Sequence, residues 1–398
     1  MLSKTVYSIY DTSPKTEQIV ALLAQNNTPK LHLSGLVGSS ISFVIRSIFK
    51  KSELPFLLIL NDKEEAAYYL NDLEQMIGDQ DVLFYPASFR RPYQIEETDN
   101  ANVLLRAEVL NRINSRKKPA IIVSYPEALF EKVVTRKELD KNTLKVAVGD
   151  QISIDFINEV LFEYEFKRVD FITEPGEFSV RGGIVDVFSF SNDNPYRIEF
   201  FGNEVDSIRT FDVATQLSLE QQKKIAIIPN VENKFFQENR ESFLDYISEK
   251  TVLFIQNTEG FLSQLDKQFA KAEEAFDKLS KDIKHATPEQ LFLNQEQFIK
   301  RALDFSVVEL ASKAIFKTTK KFEFHIQPQP SFNKQFDLLL NNLNDNHFNG
   351  YKNYLFCSND NQAKRFHDIF ETLDEANSEN IRKQYNTVVL PLYQVFID

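Results

Sequence analysis

Between residues 31 and 134 short apolar runs alternate with amphipathic stretches, and few folds accept that order. LHLSG, LPFLLIL, DVLFYP and AIIVSYP read as strands, while SSISFVIRSIFKK, KEEAAYYLNDLEQMIG and NANVLLRAEVLNRI read as helices. Strands this apolar are covered on both faces, and the intervening helices supply the cover. The expectation is a parallel α/β sheet.

The texture changes from about 135 to 212. One helix, SIDFINEVLFEYE, precedes closely spaced strands: KRVDFIT, EFSV, GGIVDVFSF, PYRIEFF and EVDSIRTFD. Turns are expected at Pro175-Gly176, Gly182-Gly183, Asn192 to Asn194 and Gly202-Asn203. Consecutive strands with tight turns read as an antiparallel sheet in an α+β module. From 213 to 320 helical patterns return around the strand TVLFIQN, and FLSQLDKQFAKAEEAFDKLSKDI is a long helix with a packing stripe. QPQPSF (327–332) reads as a linker, and a further small α/β unit begins after it.

A chain of 398 residues exceeds what one hydrophobic core organises, so several domains are expected. The segment TVVLPLYQVFID stops inside a strand-like apolar run, which suggests a piece of a longer protein. The net charge of −12 argues against a broad duplex-DNA footprint, which needs many unopposed cations. The single cysteine, Cys357, excludes an internal disulfide framework and fits a reducing compartment. His32, His285, His325, His347 and His367 have no metal-ligand spacing, so no metal is expected. With no signal-like start and no membrane-length apolar run, the chain reads as soluble and cytoplasmic, with no membrane partner.

GLVGSSIS (35–42) has the outline of a phosphate-binding loop at a strand–helix junction. Aligning the Walker pattern on Gly35 puts Ser40 at the second glycine, Ile41 at the lysine and Ser42 at the hydroxyl. Isoleucine cannot neutralise phosphate, and Ser40 adds a side chain where backbone should approach the anion. Gly35, Gly38, Ser40, Ile41 and Ser42 are therefore read as a degenerate loop that binds no nucleotide. No catalytic residue is expected anywhere in the chain. Asp374-Glu375-Ala376-Asn377, the one acidic string resembling a motor's DExx box, follows a helix rather than a buried strand.

The most specific stretch is EPGEFSVRGGIVDVFSFSNDNPYRIEFFGNEVDSIRTFD, residues 174–212. It resembles the module shared by the nucleotide-excision-repair protein UvrB and the transcription-repair coupling factor Mfd. Three blocks stand in order: GEF-x-x-RGG-I-V-D-V-F, PYRIEFF and EVDSIRTFD. Two departures favour Mfd over UvrB. The loop lysine is missing, as in Mfd, and ASFRRPYQIEE is too short for the DNA-gripping hairpin of UvrB. The resemblance implies an α/β multidomain chain: a degenerate RecA-like (P-loop NTPase-like) domain from 1–126 and 213–320 without nucleotide binding, an inserted UvrB-like, UvrA-binding α+β module at 127–212, and a small α/β domain at 325–398.

Within the module, acidic residues outnumber basic ones, so Arg181 and Arg197 are the minority charge. Alternation along 196–201 puts Ile198 and Phe200 on the core face and Arg197, Glu199 and Phe201 on the other. On texture alone, surface ion pairs of the arginines with Glu199 or Asp186 are the favoured reading. The resemblance implies instead that Arg181, Arg197 and Phe201 engage UvrA. It further implies a longer parent that uses ATP and Mg in a helicase-like, DNA-translocating motor to displace RNA polymerase. That parent would cover the UvrA face with its own C-terminal domain, while contacts to RNA polymerase and DNA would lie in domains absent here. No cofactor is expected in this chain. The alternatives are a UvrB-like nucleotide-dependent repair enzyme and an autoinhibitory structural module.

Overall fold

The apolar runs assemble into one parallel sheet. Its strands lie in the order Lys320–Glu323, Lys30–Ser34, Ser306–Glu309, Val252–Ile255, Phe56–Ile59, Ile121–Ser124 and Val82–Phe84. Every adjacent pair is parallel. Three interior strands, Val252–Ile255, Phe56–Ile59 and Ile121–Ser124, are buried at each residue, which explains their apolarity. Helices cover the faces. Lys63–Ile77 starts where the Asp62 side chain accepts a hydrogen bond from the Glu65 amide, a cap that contributes about 1 kcal/mol. This computed structural model describes residues 2–398 apart from 26, 89–99, 116–117, 191, 193, 230–239, 280–285 and 376–384. Most of the short loop 87–97, and Ala376 and Asn377 of the acidic string, lie outside the described residues.

The chain leaves the large sheet after Ile121–Ser124 and returns to it at Val252. Between those points it forms a six-stranded sheet in the order Ser218–Gln221, Glu204–Phe211, Tyr196–Phe201, Ile184–Val187, Glu177–Arg181 and Lys167–Arg168. All neighbours are antiparallel except the last pair. Helix Ile154–Glu163 packs Ile157 and Leu161 against Phe178, Val185, Ile198 and Ile208 in a second core. Lys224–Ile227 pairs with Leu144–Ala147 and closes this unit. The expected limits of 127 and 212 differ from these pairings, which run from Leu144 to Ile227. Leu139 belongs to the core of the large sheet instead.

Three features differ from the sequence expectation. Residues 218–227 form strands rather than helix, because Ile225 and Ile227 turn inward while Lys224 stays exposed. Two helices, Leu2–Asp11 and Pro14–Leu23, precede the first strand, and no expectation covered them. QPQPSF is not a bare linker, since Gln327–Pro328 pairs with Phe396–Ile397. The last unit is small. Asn353–Cys357 and Tyr385–Val389 pair in parallel beside helices Phe336–Phe348 and Asp360–Glu375. Tyr354, Phe356, Val388 and Leu390 join it to the main core.

Candidate partner-binding face

The loop at 35–42 carries two glycines at positive φ, Gly35 and Gly38. Gly35 has φ +79°, and an added Cβ would sit 1.8 Å from the Phe324 carbonyl oxygen, so both backbone conformation and close approach require glycine. The helix Ser40–Ser52 follows directly. Yet its first amides already have partners. Ser40 N–H donates to Val37 O and Ile41 N–H to Gly38 O, each at 3.2 Å. Ser39 N–H donates to the Gln394 carbonyl at 3.0 Å, and Gln394 N–H donates back to Ser39 Oγ at 3.0 Å.

The segment carrying Gln394 thus packs against the loop. Ser42, at the metal-holding position of the Walker pattern, donates to buried Asp72 at 3.2 Å. Asp72 also accepts from Tyr393 N–H at 2.9 Å, and Tyr393 stacks on Tyr68 with ring centroids 3.9 Å apart. Ile41 points into the main core. Burial raises the Asp72 carboxyl above its ordinary range, against the hydrogen bonds it accepts.

The second sheet has a different outer face. Register puts Ser179, Asp186, Arg197 and Arg209 on one rung across four strands. The Asp186 carboxylate is buried and accepts from both signature arginines. Arg197 donates through Nε to Oδ1 at 2.7 Å and through Nη2 to Oδ2 at 2.8 Å. Arg181 donates from Nη2 to Oδ2. The Arg197 guanidinium also lies 4.3 Å from the Phe211 ring centroid. Hydrogen bonding to Asp186 raises the Arg197 pKa still further and keeps the side chain charged.

On the neighbouring rung Glu199 accepts from Ser207 Oγ at 2.6 Å and from Arg209 Nη1 at 3.0 Å. Those contacts, the Ser207 bond first, hold its carboxyl below the ordinary range. Exposure is graded across the face. The Arg197 side chain is 14% exposed and that of Arg181 42%. Phe201 is 83% exposed, while Ile198 is fully buried beneath the same strand. A register slip between Glu199 and Phe200 places Phe201 opposite Glu204, at the strand end beside the Gly202 turn.

Residues 144–233 match the UvrB interaction domain. The chain is 32% identical over 198 residues to the transcription-repair-coupling factor of Bacillus subtilis (strain 168), covering 50% of the chain and 17% of that protein. It is 29% identical over 218 residues to the Myxococcus xanthus factor, covering 53% and 18%. For the Escherichia coli (strain K12) factor the figures are 27% over 197 residues, 50% and 17%. The chain carries an Mfd N-terminal region. It spans less than a fifth of the length of these Mfd relatives.

The structure brings Arg181 and Arg197 together on one carboxylate and sets Phe201 on the same side of the sheet. Sequence reasoning named both arginines but offered Glu199 and Asp186 as interchangeable partners. The register separates them, giving Asp186 to Arg181 and Arg197, and Glu199 to Arg209. Arg209 and Phe171 went unnoticed. Phe171 is 65% exposed, with the Arg181 guanidinium 5.3 Å from its ring centroid. Strand pairing offered a signal for Arg209, which stands opposite Arg197. Phe171 lies in a loop and offered none. Among the described residues, no group of three or more His, Cys, Asp or Glu side chains could hold a metal, and no helix is long and apolar enough to cross a membrane.

Proposed function

We propose that this chain recruits UvrA to stalled RNA polymerase in transcription-coupled nucleotide-excision repair, through the outer face that carries Arg181, Arg197 and Phe201. One observation carries the reading. Within the matched 144–233 region, a largely exposed phenylalanine stands beside arginines fixed by a buried carboxylate, the make-up of an interface centre. The large sheet is a RecA-like scaffold that no longer takes nucleotide. The missing lysine and the Gln394 segment lying on the loop amides both support that, and both weigh against a UvrB-type enzyme. In this reading the chain itself uses no cofactor and catalyses nothing. ATP, Mg, DNA and RNA polymerase belong to a motor elsewhere in a longer cytoplasmic parent.

The module spans 127–212, or the span of its strand pairings, shifted toward the C-terminus at Leu144 to Ile227, and 325–398 is a separate small α/β domain. The parent's own C-terminal domain covers the same face until UvrA displaces it. The test is a pull-down of purified UvrA by this chain, with and without that C-terminal domain added in trans. Capture of UvrA that the added domain competes away is the expected result. No capture by a folded chain overturns recruitment.

A further inference from the structure

We infer that Asp186 is a positioning residue of the partner-binding face: it never meets the partner, but its buried carboxylate aims both arginines that do. The inference rests on the reading just given and adds a residue to it. Asp186 is 1% exposed, so a docking protein cannot reach it. Both its oxygens are engaged, Oδ1 by Arg197 Nε and Oδ2 by Arg197 Nη2 and Arg181 Nη2. The two-point grip fixes the plane of the Arg197 guanidinium, which the Phe211 ring supports from one side.

Arg181 reaches the same carboxylate from the adjoining hairpin strand and lies against Phe171. It is the more exposed of the two. Two cations share the one carboxylate, so Asp186 alone does not balance both. A long, rotamer-rich side chain held in advance loses less freedom on binding than a mobile one. Asp186 therefore supplies preorganisation, and Arg181 and Arg197 supply contact.

The experiment measures UvrA affinity and thermal melting for parent, Arg181→Ala, Phe201→Ala, Asp186→Asn, and Asp186→Asn in an Arg181→Ala/Arg197→Ala background. Asp186→Asn is expected to weaken binding about tenfold, the effect of freeing two arginine side chains that must then be ordered on docking. In the background without the arginines it should add no further loss, because a residue that acts through others has nothing left to act on. Full additivity, or Asp186→Asn binding like the parent, overturns the inference.

Should Asp186→Asn alone melt out, Asp186→Asn/Arg197→Gln removes a charge of each sign. Compared with Arg197→Gln, it should still bind more weakly, since a neutral amide holds Arg181 less firmly than the carboxylate does. Equal binding overturns the inference. Failure of the wider reading is distinguishable: Arg181→Ala and Phe201→Ala would then bind like the parent whatever Asp186 does.

Discussion

The loop at 35–42 and the sheet face around Arg197 both hold hydrogen-bond donors suited to a negatively charged partner. They differ in what those donors already touch. At the loop, the amides of Ser39, Ser40 and Ile41 each have a backbone acceptor, and one of those acceptors comes from Gln394, far along the chain. On the sheet face, Asp186 satisfies part of each arginine while Arg181 and Phe201 stay open to solvent. A motif's shape therefore does not decide whether it binds. Two glycines at positive φ and a helix start make a phosphate cradle only if the donors remain unclaimed.

The largest expected effect comes from trying to make the loop behave like an open site. Ile41→Lys restores the lysine of the Walker pattern. But Ile41 is 4% exposed and packed in the main core, so an ammonium there has neither water nor counter-ion. The substitution should destabilise the chain by about 3 kcal/mol or more and create no nucleotide site. Urea unfolding beside a calorimetric ATP titration checks both halves. A variant as stable as the parent that binds ATP saturably would show that the loop is open after all.

Next in size is the response of the sheet face. Arg197→Ala should weaken UvrA binding about thirtyfold, or about 2 kcal/mol, the usual effect of truncating an arginine at an interface centre. It should also lower the melting temperature. Alternation alone suggests an outward side chain that the fold can spare, but Arg197 is mostly covered and supplies two of the contacts to a buried carboxylate. Unchanged melting would mean that Arg181 alone balances Asp186.

Phe201→Ala separates binding from folding. The ring is 83% exposed, so its loss should leave stability within about 0.5 kcal/mol while reducing UvrA affinity by about the same factor as Arg197→Ala. Ile198→Ala, three residues earlier and fully buried, should do the reverse, destabilising by about 3 kcal/mol with affinity retained in the molecules that fold. Parallel melts and binding curves decide. If Phe201→Ala unfolds and Ile198→Ala merely binds poorly, the two sides of the strand have been exchanged.

Much of the fold was legible because its physics is local. Interior strands of the large sheet are apolar runs, and Tyr196–Phe201 alternates, so each pattern names its own burial. The parts that stayed hidden depend on distant partners. Nothing in GLVGSSIS indicates that Gln394 lies upon it, because that contact is set by where the small unit docks. Ser218–Gln221 reads as polar chain and becomes a strand only because Glu204–Phe211 offers an edge. At the candidate site, it was the family resemblance that singled out Arg181, Arg197 and Phe201; residue types alone favoured plain surface ion pairs. Choosing between Asp186 and Glu199 as the arginines' anchor needed cross-strand register, which a single strand's sequence does not contain.

The smallest effect, and the one that sharpens the comparison most, is the response to acid. Each region holds one carboxylate shifted by its surroundings, in opposite directions. Burial raises Asp72 beside the loop, so the folded chain holds that proton more tightly than the unfolded chain. Its stabilising contribution is complete below the unfolded value of about 4 and is lost as pH rises through the folded one. Glu199 on the sheet face is lowered by Ser207 and Arg209. Its contribution is present above the unfolded value of about 4.3 and is lost as pH falls through the folded one. Urea midpoints between pH 6 and pH 3 for parent, Asp72→Asn and Glu199→Gln should therefore diverge. Relative to Asp72→Asn the parent gains stability on acidification, and relative to Glu199→Gln it loses stability. Slopes of the same sign would mean that Ser39, Ser42 and the Tyr393 amide together outweigh burial and keep Asp72 charged. The loop would then be organised as the sheet face is, around an ionised carboxylate held by its donors, and its closure would depend on that charge rather than on the backbone contacts of Gln394.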